Sequence, residues 1–216
     1  MIDFGLTFNE VHSYNDLNLI LNDMNISPAI PKTNYIDIPG GNGTLDLTNA
    51  FGEVKYNDRD AKFVFTIHPK DDFEAKKTQV SNLLNGLLCK IVLDEDQGYY
   101  YYGRCTVSEY PVVSYRNRQI VISAKLQPYK MKCNETIVDV ALSNEEQEIV
   151  INNGRKSVVP EVFIANDNTV IKFGDKEHFL NAGIHKILDI QFKYGENKLI
   201  VSGEGVMTFR FREGDL

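Results

Sequence analysis

Clustered glycines, a run of carboxylates and a few scattered histidines and cysteines are the residues of this chain whose types suit chemistry. In "DIPGGNGTLDLT" (37–48), Gly40, Gly41 and Gly43 crowd behind Pro39, as in loops whose backbone N–H groups cradle a phosphate. A P-loop requires Gly-x-x-x-x-Gly-Lys-Ser/Thr, and Gly43 is followed by Thr44 and Leu45 with no lysine. A dinucleotide fingerprint must open a helix, because the helix N-terminus holds the anion. "TLDLT" instead alternates like a strand. The stretch therefore reads as a turn whose glycines supply positive φ.

The carboxylates of "LDEDQGYYYYGR", Asp94, Glu95 and Asp96, begin like an EF-hand loop. The twelfth position counted from Asp94 is Cys105, where calcium needs a bidentate glutamate, so a solvated hairpin tip is the better reading. Tyr99 to Tyr102 then lie on the returning strand with two rings on each face, suited to core packing and an interface. His12, His68, His178 and His185 form no H-E-x-x-H pair, and no G-x-S-x-G elbow is present. Cys89, Cys105 and Cys133 are odd in number and widely spaced, which reads as reduced thiols and not as a zinc site. No catalytic, metal or cofactor residue is assigned, and no enzyme is expected.

Most elements that must position these residues are strands. "KFVFTIH" (62–68) places Phe63, Phe65 and Ile67 on one face, and "YYYYGRCTV" (99–107), "QIVISAKL" (119–126), "EVFIAND" (161–167), "NTVIKFG" (168–174), "NKLIVSG" (197–203) and "GVMTFRFR" (205–212) alternate likewise. One stretch, "PKDDFEAKKTQVSNLLNGL" (69–87), spaces Phe73, Val80, Leu83, Leu84 and Leu87 as a helical stripe, with Asp71 and Glu74 as a capping-box variant and Gly86 as a stop. One helix among many short strands predicts a mainly β protein of sandwich type. The turn-rich "LQPYKMKCN" (126–134) is the natural seam, giving domains 1–132 and 133–216.

The chain has 216 residues and a net charge of −7 without a long basic run, which argues against a nucleic-acid binder or an anionic membrane surface as partner. No apolar run approaches the ~20 residues of a membrane helix. No secretory leader stands at Met1, so synthesis in a cytoplasm is expected.

The order of segments carries more information than any single site. The N-terminal string, with Phe8, Asn9, His12 and Ser13 in "F-N-x-x-H-S", the Ile38–Thr48 turn "I-P-G-x-N-G-x-L-D-L-T", and Tyr56 and Arg59 in "Y-x-x-R", resembles the distal tail proteins of long-tailed phages and prophages of Gram-positive bacteria. "Y-Y-G-R" (Tyr101 to Arg104), "Q-P-Y-K" (Gln127 to Lys130) and the segment Val206 to Gly214 continue the resemblance, although Met207 before Thr208 departs from the commonest form.

The resemblance implies a ring-forming N-terminal belt domain (1–132), a β-sandwich with one α-helix and a β-hairpin arm, and a C-terminal galectin-like β-sandwich (133–216). It implies a homo-hexamer ring at the virion tail tip, made in the bacterial host cytoplasm. The ring would join the tail tube protein and the tape-measure protein to the tail-tip hub, let DNA pass without specific binding, and carry receptor-binding proteins. No inserted carbohydrate-binding module is expected at this length. Ring subunits need heterologous faces rich in aromatic and aliphatic residues, which suits 11 tyrosines and 12 phenylalanines. The alternative, a tail protein recognising cell-wall glycans, is weakened by the absence of tryptophan and by the single C-terminal tyrosine, Tyr194. A tail-tip peptidoglycan hydrolase would need a metal or nucleophile pattern that the chain lacks.

Overall fold

The computed structural model describes residues 5–50, 52–68, 70–114 and 117–216. The first four residues of the N-terminal string and Pro69, which opens the expected helical stretch, lie outside the described residues. Among the described residues the chain is mainly β, with 54% strand and one helix, and it divides into two compact units, the first reaching to Lys130 and the second Met131–Asp215.

The first unit contains β1 (Leu6–Phe8), β2 (Val11–His12), β3 (Leu19–Ile26), β4 (Tyr35–Asp37), β5 (Thr44–Asp46), β6 (Arg59–Ile67), α1 (Phe73–Leu84), β7 (Leu88–Leu93), β8 (Tyr99–Glu109), β9 (Val112–Ser114) and β10 (Asn117–Leu126). Seven of its strands run in the order β2-β1-β7-β8-β10-β6-β3, all antiparallel. β1 and β6 are four steps apart along this path, yet the Phe8 ring meets Phe63 edge-on at 6.0 Å and Phe65 at 6.3 Å. The sheet therefore curls over on itself and closes a core of Leu6, Phe8, Phe63, Phe65, Ile91, Ile120 and Ile122, all at most 1% exposed. The period-two faces of β6 and β10 supply four of these seven residues, as their alternation requires.

Helix α1 covers part of this core with Val80 and Leu84, and Phe73 and Leu83 pack partly against it. Its cap is not the expected one. The N-cap is Asp72, whose carboxylate accepts the Glu74 N–H at 3.0 Å. Asp71 instead accepts from Asn18 Nδ2 at 3.1 Å and faces Lys76 Nζ at 3.6 Å. Two adjacent aspartates satisfy the same local rule, and the tertiary partner Asn18 decides between them. Gly86, at φ +80°, follows the C-cap Asn85 and ends the helix. Leu87, beyond that stop, is exposed and leaves the stripe.

The second unit contains β11 (Lys130–Lys132), β12 (Thr136–Leu142), β13 (Gln147–Asn153), β14 (Glu161–Ile164), β15 (Thr169–Phe173), β16 (Lys176–Leu180), β17 (Gly183–His185), β18 (Gly195–Ser202), β19 (Gly205–Phe211) and β20 (Gly214–Asp215), with β11 shared at the boundary. Sheets β12-β19-β14-β17 and β13-β18-β15-β16 are both antiparallel and make a β-sandwich. Between them Phe192 sits among Phe173, Phe209 and Phe211, with centroid distances of 6.3, 5.8 and 5.2 Å. Two buried asparagines hold one end: Asn153 Nδ2 donates to the Lys156 carbonyl at 3.0 Å, and Asn197 Nδ2 to the Lys193 carbonyl at 2.9 Å.

Candidate functional site

The glycine-rich stretch forms the β4–β5 hairpin. Gly41 N–H closes a turn on the Ile38 carbonyl at 3.0 Å, and Gly40 and Gly43 have φ of +75° and +78°. Ile36 pairs with Leu45 and Asp37 with Thr44, so the ladder continues to the turn. The base is held by side chains: Asn34 N–H donates to Thr48 Oγ1 at 3.1 Å, and Thr48 N–H to Asp46 Oδ1 at 2.9 Å. Hydrogen bonds from the Thr48 hydroxyl and then its N–H hold the Asp46 carboxyl below the usual carboxylate range. Their contribution is present at neutral pH and is lost as the pH falls through that depressed value.

The apolar side chains of this hairpin are about half exposed and belong to neither hydrophobic core. Tyr35 is 57% exposed, Ile36 49%, Ile38 47% and Leu45 51%, and Ile30 just before it is 61% exposed. Isolated exposed apolar residues are normal, but five within sixteen positions of a two-stranded hairpin are not. A hairpin of two strands is marginal in water without a surface to cover it.

The other motif residues are brought together, in two structural clusters. At the first, Asn9, at φ +57°, exchanges hydrogen bonds with Lys90 through its N–H (2.7 Å) and Oδ1 (2.9 Å). The buried Ser13 Oγ accepts the Leu6 N–H at 3.1 Å. His12 Nδ1 accepts the N–H groups of Tyr14 (3.1 Å) and Asn15 (3.0 Å), so its proton sits on Nε2 and points to the Asp94 carboxylate at 3.1 and 3.2 Å. Asp94 also accepts the Gly5 N–H at 2.8 Å. A His–Asp pair is the beginning of a catalytic dyad, but here the second ring nitrogen has no lone pair free for a substrate proton. Asp94 is a clamp at the β7–β8 tip. His12→Ala leaves the Tyr14 and Asn15 N–H groups without their acceptor and the Asp94 carboxylate with one donor fewer, and an unfolding free energy lower by about 2 kcal/mol is expected in a urea titration.

The second cluster gathers "Y-x-x-R", "Y-Y-G-R" and "Q-P-Y-K". The buried Arg59 donates from Nε to the Pro128 carbonyl at 2.7 Å and lies 5.7 Å over the Tyr101 ring. Tyr56 meets Tyr129 edge-on at 5.8 Å. Lys130 pairs with Asp96 at 2.7 Å and stands 4.5 Å over Tyr99, and Lys90 stands 4.7 Å over Tyr100. Tyr99, Tyr100 and Tyr101 of the tyrosine run are thus each matched to a cation. In the second unit, Arg212 donates to the Lys132 and Cys133 carbonyls (2.7 and 2.5 Å), and Glu213 pairs with Lys132 at 2.7 Å.

The cysteines are free thiols, with Cys89 and Cys105 buried. Hydrogen bonding with Cys89, and then burial, push the Cys105 thiol up, so it stays protonated. Among the described residues no group of three or more histidines, cysteines and acids is placed to hold a metal ion, and no helix is long and apolar enough to cross a membrane.

No family model matches the chain, and no curated protein matches it in sequence. The fold does have a solved counterpart. It is SPP1 Dit (gp 19.1), whose crystal structure is presented as a paradigm of the hub adsorption apparatus in phages infecting Gram-positive bacteria. The TM-score is 0.68 and the likeness covers 99% of both chains at 12% identity.

Proposed function

We propose that this chain is a structural subunit of a phage tail tip, a distal tail protein. In this reading six copies close into a ring through the first unit, as a belt. The second unit serves as a galectin-like platform on which receptor-binding proteins dock. The ring joins the tail tube protein to the tail-tip hub.

The observation that carries the reading is the shared fold, which runs through both units of the chain and nearly the whole of SPP1 Dit. The uncovered hairpin supports it, because a heterologous ring contact needs an apolar surface that the isolated subunit leaves open. Purified protein, alone and mixed with its hub and tube partners, should give six-fold rings or stacked pairs of rings in negative-stain electron micrographs. A chain that stays monomeric at high concentration with both partners present would refute this function.

A further inference from the structure

The sequence contains three Asn-Gly pairs, Asn42–Gly43, Asn85–Gly86 and Asn153–Gly154. An asparagine followed by glycine is open to intramolecular attack, because glycine carries no side chain to hinder the following backbone nitrogen. The three pairs differ in what the fold does to the reacting atoms. Asn85 Oδ1 accepts the Val107 N–H at 3.1 Å, and Gly86 N–H donates to the Cys105 carbonyl at 2.8 Å, so both electrophile and nucleophile are engaged. Asn153 is 5% exposed, and its Nδ2, the leaving group, donates to the carbonyls of Lys156, Phe192 and Lys193. Asn42 is exposed at the hairpin turn, and among the described residues neither its side-chain amide nor the Gly43 N–H has a hydrogen-bond partner. Gly43 faces open space, with nothing within 4 Å of where a Cβ would stand.

We infer that Asn42 is a spontaneous deamidation site on the hairpin, and that the fold protects the other two Asn-Gly pairs. The Gly43 nitrogen attacks the Asn42 side-chain carbonyl carbon and forms a new C–N bond. The side-chain nitrogen leaves as ammonia, taking up the proton lost by the Gly43 amide, and a five-membered imide remains. Water then opens the imide at either carbonyl. One opening leaves aspartate, and the other leaves isoaspartate, with an extra methylene in the main chain. No oxidant or reductant is involved, and each event adds one negative charge to a chain of net charge −7. Isoaspartate lengthens the path between Asp37 and Thr44, which are paired across the turn. The consequence for assembly rests on the ring reading: stored subunits would lose assembly competence with time.

The test is peptide mapping by mass spectrometry of the folded full chain, aged at mildly alkaline pH. A sample held unfolded in urea gives the intrinsic rate of each pair. The expected result is an amide-to-acid mass gain in the peptide bearing Asn42, about tenfold or more faster than at Asn85 or Asn153 in the folded chain. Labelling of the same peptide by an isoaspartyl methyltransferase should accompany it. In urea the three rates should converge. Asn42→Gln, conservative at an exposed turn, should abolish the signal. Equal rates at the three pairs in the folded chain, or an unmodified Asn42 after its counterpart in urea has converted, would overturn the inference. These readings do not depend on whether rings form. Their failure is therefore distinguishable from failure of the ring itself.

Discussion

Replacing Ile36, Ile38 and Leu45 together with serine is expected to leave the chain folded and to abolish the proposed ring. All three are about half exposed in the single chain, and none belongs to either hydrophobic core. Their removal therefore costs the isolated subunit little. If the hairpin is a ring contact, each residue loses about 1 kcal/mol or more of apolar burial at every interface. Three such losses weaken each contact by roughly a hundredfold or more. A closed ring repeats the loss at every contact, so the ring should vanish and not merely loosen. Sedimentation velocity and negative-stain microscopy read the assembly, and the thermal midpoint confirms the fold. Rings of unchanged abundance from a triply substituted chain would remove the hairpin from the interface and leave the shared fold as the only support for the reading.

Gly103→Ala should be among the most damaging single substitutions in the first unit. Gly103 lies on β8 opposite Leu126 of β10 on one side and Cys89 of β7 on the other. A Cβ there would stand 2.0 Å from the Lys125 carbonyl oxygen and 2.7 Å from the Leu126 Cα. Both are main-chain atoms, so no rotamer change relieves the clash. β8 and β10 must separate locally, next to the buried Leu126 and the Gln127 N–H that donates to the Tyr102 carbonyl at 2.8 Å. A loss of about 3 kcal/mol is expected, with a fall of roughly 10 °C in the midpoint of the first unit by differential scanning calorimetry. Gly98→Ala, at a position with nothing within 4 Å of a new Cβ, is the matched control and should shift it little. A Gly103→Ala protein as stable as the parent would show that the strands can part there at no cost.

The sequence by itself determined the class of the fold. Alternation in "KFVFTIH" and "GVMTFRFR" names the buried faces of β6 and β19, because a strand's side chains change sides at every residue. The stripe of Phe73, Val80, Leu83 and Leu84 names the one helix by the same logic at a longer period. The failure of the phosphate-loop reading was also legible, since that chemistry needs a lysine and a helix N-terminus that the local sequence lacks. β3, "LILNDMNI", was not legible: a bulge between Leu21 and Asp23 breaks its alternation, and it is a strand because β6 pairs with it.

What only the tertiary structure decided are the contacts between residues distant in the chain. Periodicity says that Phe8 and Phe63 are both buried, not that their rings meet. Nothing local to His12 names Asp94 as its partner, or Pro128 and Tyr101 as those of Arg59. The fold separates the motif segments by burial and hydrogen bonding. The histidine, serine, arginine and tyrosine motifs are satisfied within the chain and hold strands together, while the Ile38–Thr48 motif leaves its apolar side chains uncovered. A local pattern specifies which face of an element is apolar. Whether that face finds cover within the same chain is set by how the whole sheet closes, and here the hairpin falls outside that closure.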